Sequence, residues 1–171
     1  EPKVAAIGAG MDISKPSANM VIDIGGGTTD IAILSLNDIV SSASVRVAGN
    51  IFDQDIVKYI KEKYKLLIGE KTAEDIKINF ANLYQPDKKN KMEVRGRDLI
   101  TGLPNTIEIN EVETEEALHD SIYKIVKAAT NVLEQTPPEL SADIVDKGIV
   151  LTGGGSMLKG LNDLLKEELK V

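Results

Sequence analysis

Apolar residues along the chain follow two rhythms. Short continuous runs mark strands: Met20-Val21-Ile22-Asp23-Ile24, then Asp30-Ile31-Ala32-Ile33-Leu34-Ser35-Leu36, then a Val- and Ser-rich stretch over 39–47. The links between them, Gly25-Gly26-Gly27-Thr28-Thr29 and Asn37-Asp38, are too short for a crossover, so the three strands are expected as an antiparallel meander. A further strand is expected at Gly148-Ile149-Val150-Leu151.

Elsewhere the spacing is helical. A short helix over 2–10 has Pro at its start and Gly at its end. Ile51, Phe52, Ile56, Tyr59, Ile60 and Lys63 share one face of a helix over 49–64. Leu66-Leu67-Ile68-Gly69 reads as a buried connector, and Thr72 with Asp75 reads as the cap of a second helix. Asn110 with Glu113 predicts the cap of a long helix over 111–135, with Ala117, Ile122, Ile125, Val126, Ala129, Val132 and Leu133 facing inward and Pro137-Pro138 as its stop. A last helix is expected over 156–169. Two polar strands, over 92–97 and 106–110, flank a turn at Gly102-Leu103-Pro104-Asn105 and read as an insert.

Composition narrows the chemistry. The chain has 171 residues, 42% hydrophobic and 27% charged, enough to bury a core. Its longest apolar runs fall far short of the ~20 residues of a spanning helix, so no direct membrane insertion is expected. Lys+Arg is 20 against Asp+Glu 27, a net charge of -7, and tryptophan is absent; both features oppose a nucleic-acid partner. Absence of cysteine excludes a disulfide scaffold, a thiolate metal site and a cysteine nucleophile. His119 is the single histidine, so no histidine cluster exists.

Two glycine triplets remain as candidate chemistry, each at the end of an apolar strand. In Asp23-Ile24-Gly25-Gly26-Gly27-Thr28-Thr29-Asp30, bare backbone N–H groups can approach an anion, threonine hydroxyls add donors, and Asp23 can hold a hydrated Mg²⁺. A hairpin that merely needs left-handed glycines accounts for the same pattern. Leu151-Thr152-Gly153-Gly154-Gly155-Ser156-Met157-Leu158 is a strand–glycine–helix junction, where unpaired N–H groups favour anions or polar rings. Neither triplet is a Walker A loop or a dinucleotide fingerprint. Glu74 and Lys77 share a helix face and can bracket a ribose; a solvent-facing ion pair explains them as well.

Taken in order, these motifs resemble the actin, sugar-kinase and heat-shock ATPase superfamily. Asp23 to Asp30 looks like its second phosphate loop, Ile149 to Ser156 its adenosine loop, and Glu1 to Gly8 its connecting helix. Within it the chain is most similar to the MreB/Mbl family of bacterial actins, through Leu67-Ile68-Gly69-Glu70-Lys71-Thr72-Ala73-Glu74, Val94-Arg95-Gly96-Arg97-Asp98, Gly102-Leu103-Pro104 and Thr136-Pro137-Pro138-Glu139-Leu140. The implied fold is α/β: an actin-like (ribonuclease H-like) core with a mixed sheet and flanking helices at 1–78 and 136–171, and a small α+β insert at 79–135.

The resemblance also implies roles. ATP or ADP would have its phosphates held by Gly25, Gly26, Gly27 and Thr28, with Asp23 in the Mg²⁺ shell through water. Glu74 and Lys77 would contact ribose and adenine, while Gly153, Gly154, Gly155, Ser156 and Met157 would line the adenosine pocket. Glu1 matches the acid that orients the attacking water.

The superfamily's other phosphate loop has no counterpart in these residues. The chain opens Glu1-Pro2-Lys3 and closes Leu169-Lys170-Val171 directly after a helical pattern. It is therefore expected to be the second large domain of a longer protein. The intact parent is expected to hydrolyse ATP and to form filaments with copies of itself that control cell shape. Those filaments would be cytoplasmic, lie at the membrane and work with wall-synthesis proteins. The expected partner within the same protein is its first domain, and this half alone is expected to be inactive. Two alternatives stay open: a chaperone-type or cell-division ATPase of the same superfamily, and a non-catalytic assembly module.

Overall fold

The structure is a computed structural model that describes residues 2–171; Glu1, the expected catalytic acid, lies outside the described residues. In chain order the elements are α1 (Pro2–Gly8), β1 (Asn19–Ile24), β2 (Thr29–Ser35), β3 (Asp38–Val45), α2 (Gly49–Tyr64), β4 (Leu66–Leu67) and α3 (Glu70–Asn79). They continue with β5 (Lys91–Asp98), β6 (Pro104–Asn110), α4 (Glu111–Glu134), α5 (Pro138–Lys147), β7 (Ile149–Thr152), a 3-10 turn (Gly154–Met157) and α6 (Leu161–Leu169). These elements fall into two compact units. One takes the residues up to Gly49 with Ile122–Ser156 and Asn162–Val171; the other takes Asn50–Ser121 and Met157–Leu161. The boundaries expected from sequence lie elsewhere, at 78/79 and 135/136; here α3 and nearly all of α2 group with the polar strands.

The first unit holds a four-stranded sheet in the order β3-β2-β1-β7. The meander is antiparallel, and β7 joins parallel to β1 in the register Met20↔Ile149 through Asp23↔Thr152. Val21, Ile22, Ile24, Ile31, Ala32, Ile33 and Leu34 are wholly buried, which explains why β1 and β2 read as continuous apolar runs rather than alternating ones. Ala6 of α1 and Ile13 share a core cluster with Val21, Ala32 and Leu34. The β2–β3 hairpin turns on Leu36 and Asn37, whose φ angles of 52° and 62° fit the twist of the flanking strands. β3 ends at Val45 rather than 47, and the Val47 carbonyl instead accepts the Thr29 hydroxyl at 2.6 Å.

Three expectations are corrected in the last third of the chain. Pro137-Pro138 stops α4, but Pro138 also begins α5, because a missing N–H costs nothing in a first helical turn. Gly148 is the C-cap of α5 at φ +77° and not part of the strand. The last helix starts at Leu161 rather than 156, since Gly160 at φ +83° separates it from the 3-10 turn.

The second unit packs α2, α3 and the start of α4 with the small sheet β4-β5-β6. Phe52, Ile56, Ile60, Leu66, Ala73, Ile76, Val94, Ile109 and Leu118 are among its buried apolar residues. The connector Leu66–Leu67 pairs antiparallel with Asp98 and Arg97. α3 begins at Glu70, with Gly69 extended as its N-cap; Thr72 lies inside the helix and does not cap it. The long helix is capped as expected: the Asn110 N–H donates to Glu113 Oε1, and the Glu113 N–H to Asn110 Oδ1, both at 3.0 Å. On its inner face Leu118 and Ser121 are buried while Ala117 and Leu133 are only half-buried. Asn110→Ala removes one arm of this box, and an increase of about 1 kcal/mol in unfolding susceptibility is the expected result in a urea titration. No shift in the urea midpoint would contradict that role.

Candidate functional site

Parallel pairing of β1 and β7 decides the geometry. Both strands run the same way, so the two glycine loops leave the same end of the sheet side by side. Ligands in open α/β sheets sit beyond the carboxyl ends of such strands. The first loop is a tight hairpin closed by the Gly25 N–H donating to the Thr28 carbonyl at 3.0 Å. The Gly25 carbonyl accepts the N–H of Gly49, the first residue of α2, also at 3.0 Å. Gly26, Gly27 and Thr28 stand exposed at the tip, and Asp23 is half-buried at its base.

The glycines of the two triplets serve different needs. Gly153 is left-handed at φ +82°, and a Cβ there would run into the Ile24 carbonyl and come within 2.7 Å of Asp23 Oδ1. Gly155 is buried against the Ile24 side chain. These two are glycine because the second loop passes directly over the end of β1. Gly27 and Gly154 differ: neither is left-handed, and a Cβ on either would meet nothing within 4 Å. Neither backbone geometry nor internal crowding accounts for them, and open space above exposed N–H groups is what an approaching anion needs. A hairpin that needs left-handed glycines thus does not explain Gly25 or Gly27. The 3-10 turn is fastened by Ser156, whose N–H and hydroxyl both donate to the Gly153 carbonyl, at 3.2 and 2.5 Å.

Sequence reasoning passed over Thr152 as a site residue. Its Oγ1 is buried without a hydrogen-bond partner, beside its register partner Asp23. Buried hydroxyls are nearly always satisfied, so this one marks a place where water or a ligand group belongs. Only a structure gives that signal, because it depends on burial.

The remaining candidates belong to the second unit. Glu74 is exposed on α3. Lys77 reaches Asp53 of α2 instead, Nζ to Oδ1 at 2.9 Å, with both side chains largely buried. Asp53 also lines a polar hollow of about 300 Å³ with Asn50, Gln54 and Glu70. The i,i+3 spacing of Glu74 and Lys77 could not announce this pairing, since Asp53 lies on another helix. Met157 is 84% exposed. His119 is not part of any of this; it contacts Glu115 one turn away at 2.8 Å. Among the described residues no group of three acidic or histidine side chains could hold a metal ion. A cation here would rest on ligand phosphates, with Asp23 and its cross-strand partner Asp30 as the carboxylates at the base of the first loop.

The family model described as "MreB/Mbl protein" matches residues 1–171. The chain belongs to the MreB/Mbl family. It is 61% identical over 171 residues to the cell shape-determining protein Mbl of Bacillus subtilis (strain 168), covering 100% of this chain and 51% of that protein. It is 49% identical over 168 residues to the cell shape-determining protein MreB of Escherichia coli (strain K12), covering 98% of this chain and 48% of that protein. The chain thus spans about half the length of these relatives. In structure it is similar to MreB5 of Spiroplasma citri bound to AMPPNP, with a TM-score of 0.93 and 42% identity over 99% of this chain and 51% of that one. A MamK double helical filament is similar at a TM-score of 0.79 and 25% identity, over 99% of this chain and 50% of that one. The α/β fold with its mixed sheet and flanking helices is therefore the actin-like fold of the MreB/Mbl family.

Proposed function

We propose that this chain is the ATP-binding half of a bacterial actin-like cytoskeletal protein that assembles into nucleotide-dependent filaments controlling cell shape. The observation that carries the proposal is the pair of glycine loops at one end of the sheet, each with a glycine that neither a left-handed backbone nor crowding explains. Gly25, Gly26, Gly27 and Thr28 take the phosphates; Gly153, Gly154, Gly155, Ser156 and Met157 take the adenosine, with Glu74 and Lys77 at the ribose and adenine. Backbone N–H groups supply the attraction despite the net charge of -7, because they act at contact distance while the charge is spread over the surface. Mg²⁺, held by the phosphates and through water by Asp23, would neutralise phosphate charge. Glu1 orients the attacking water in the full-length protein, which hydrolyses ATP; the chain alone is inactive because the other phosphate loop is elsewhere.

Solved MreB5 structures with AMPPNP and with ADP support the nucleotide assignment, and the MamK filament supports self-association. The relatives' description as cell shape-determining favours this reading over a chaperone-type ATPase. Among the described residues no helix is long and apolar enough to cross a membrane. The filaments are cytoplasmic and meet the membrane and the wall-synthesis proteins through other parts of the assembly.

Gly27→Val tests the site. Its side chain has room, so the thermal midpoint is expected to stay within a few degrees of the wild type. Calorimetric affinity of the full-length protein for ADP with Mg²⁺ is expected to drop at least about 100-fold, the cost of displacing well-aligned phosphate contacts. Unaltered ADP affinity in a folded Gly27→Val protein would remove the first loop from the site.

A further inference from the structure

The first residue of α4, Glu111, is only 2% exposed, yet it carries no apolar role. Four donors converge on its carboxylate. Asn82 Nδ2 and the Asp87 N–H donate to Oε1 at 3.0 and 2.9 Å; Asn90 Nδ2 donates to Oε2 at 2.5 Å. Lys159 Nζ completes the set as an ion-pair partner 3.5 Å from Oε2. A residue that only began a helix would need one backbone partner. This one gathers the polar loop before β5 and the short segment 157–161 that follows the second glycine triplet.

That segment is gripped at two adjacent residues. The Lys159 carbonyl accepts the Leu83 N–H at 3.0 Å, and Asn82 and Lys159 form a parallel bridge. Gly160, left-handed at φ +83°, lies so close that a Cβ would come 2.6 Å from the Tyr84 nitrogen and 2.8 Å from Asn82 Oδ1. Asn82 is thus shared: its amide nitrogen serves Glu111 and its amide oxygen accepts the Tyr84 N–H at 3.2 Å. Met157 stands two residues before Lys159 and is 84% exposed, so it has almost no packing of its own to place it. Its position is inherited from the backbone on either side: the 3-10 turn before it, and the segment after it, which the carboxylate of Glu111 holds through Asn82 and Lys159.

We propose that Glu111 is a positioning residue for nucleotide binding: by fixing Lys159 and Asn82 it holds Met157 against the adenosine. The proposal rests on the reading above that Met157 lines the adenosine pocket. Glu111 itself touches no ligand. Its loss loosens the adenosine side of the site and leaves the phosphate side alone, so ATP and ADP lose affinity by the same factor.

The test uses the full-length protein carrying this chain, titrated with ATP, ADP and GDP in the presence of Mg²⁺. Glu111→Gln keeps the shape but loses the charge that pairs with Lys159. It is expected to weaken ADP and ATP equally, by at least about fivefold, and to narrow the preference for ADP over GDP. A merely structural role would lower the thermal midpoint without moving base preference. Normal affinity and normal preference in Glu111→Gln would overturn the proposal. Should that variant fail to fold, Lys159→Gln decides: its side chain is 66% exposed, and about a twofold to threefold loss with the same narrowing is expected. Wild-type binding in Lys159→Gln would overturn the proposal as well. Gly154→Val separates the two levels. Lost ADP binding there, with Glu111→Gln and Lys159→Gln both normal, refutes the positioning role alone; normal ADP binding in Gly154→Val refutes the adenosine reading on which it stands.

Discussion

Gly153→Ala is expected to destabilise the protein by about 3–5 kcal/mol, whereas Gly154→Ala one residue on is expected to change stability by less than about 1 kcal/mol. The two positions look identical in the sequence. Gly153 sits at φ +82°, a conformation that costs an L-residue about 1–2 kcal/mol. Its new Cβ would also overlap the Ile24 carbonyl, and that obstacle is backbone in a wholly buried strand that cannot rotate away. Relieving the overlap means separating β7 from β1, hence giving up part of the register that sets the two loops side by side. At Gly154 the φ is ordinary and nothing lies within 4 Å. Urea unfolding of both variants checks the contrast. A Gly153→Ala midpoint close to wild type would mean that the second loop does not pass as tightly over β1 as described.

That contrast shows where sequence reading reached and where it stopped. Patterns within one element were readable: the apolar runs of β1 and β2, the Asn110–Glu113 capping box and the face of α4 all follow from local spacing. Family membership was readable because the ordered motifs survive as strings. The α5 helix was hidden because Pro137-Pro138 signals a stop to the preceding helix and a start to the next with the same residues. Partnerships made across elements left no trace in spacing. Lys77 pairs with Asp53 on α2, and the Thr152 hydroxyl is buried without a partner only because β7 pairs with β1. Glu111 belongs to no motif that spacing marks, yet the fold places four donors around it. The triplets themselves were found as candidates, but which glycine answers to the fold and which to a ligand depends on what passes overhead.

Glu111 also makes the protein's stability depend on acid in a definite way. Burial alone would push its carboxyl up; the hydrogen bonds from Asn82, the Asp87 N–H and Asn90, with the nearby Lys159 charge, outweigh burial and hold it at about 2 against an ordinary 4.5. Between those two values the unfolded chain binds a proton that the folded protein refuses, so stability rises with pH across that window. The contribution is fully present above about pH 4.5 and is lost as pH falls toward 2. The gap between these two values corresponds to about 3 kcal/mol. Glu113 acts in the same direction. Burial raises its carboxyl, but Lys63, the Tyr64 hydroxyl and the Asn110 N–H bring it below its ordinary value. Glu111→Gln cannot titrate, so its stability is expected to trail the wild type by about 3 kcal/mol at pH 6 and by little near pH 2. Urea unfolding of both proteins at pH 6, 4 and 2.5 measures the gap. Parallel stability curves would show that the four donors do not discriminate between the charged and the neutral carboxyl. A closing gap means that the same contacts that place the segment after the second glycine loop are the ones that acid releases.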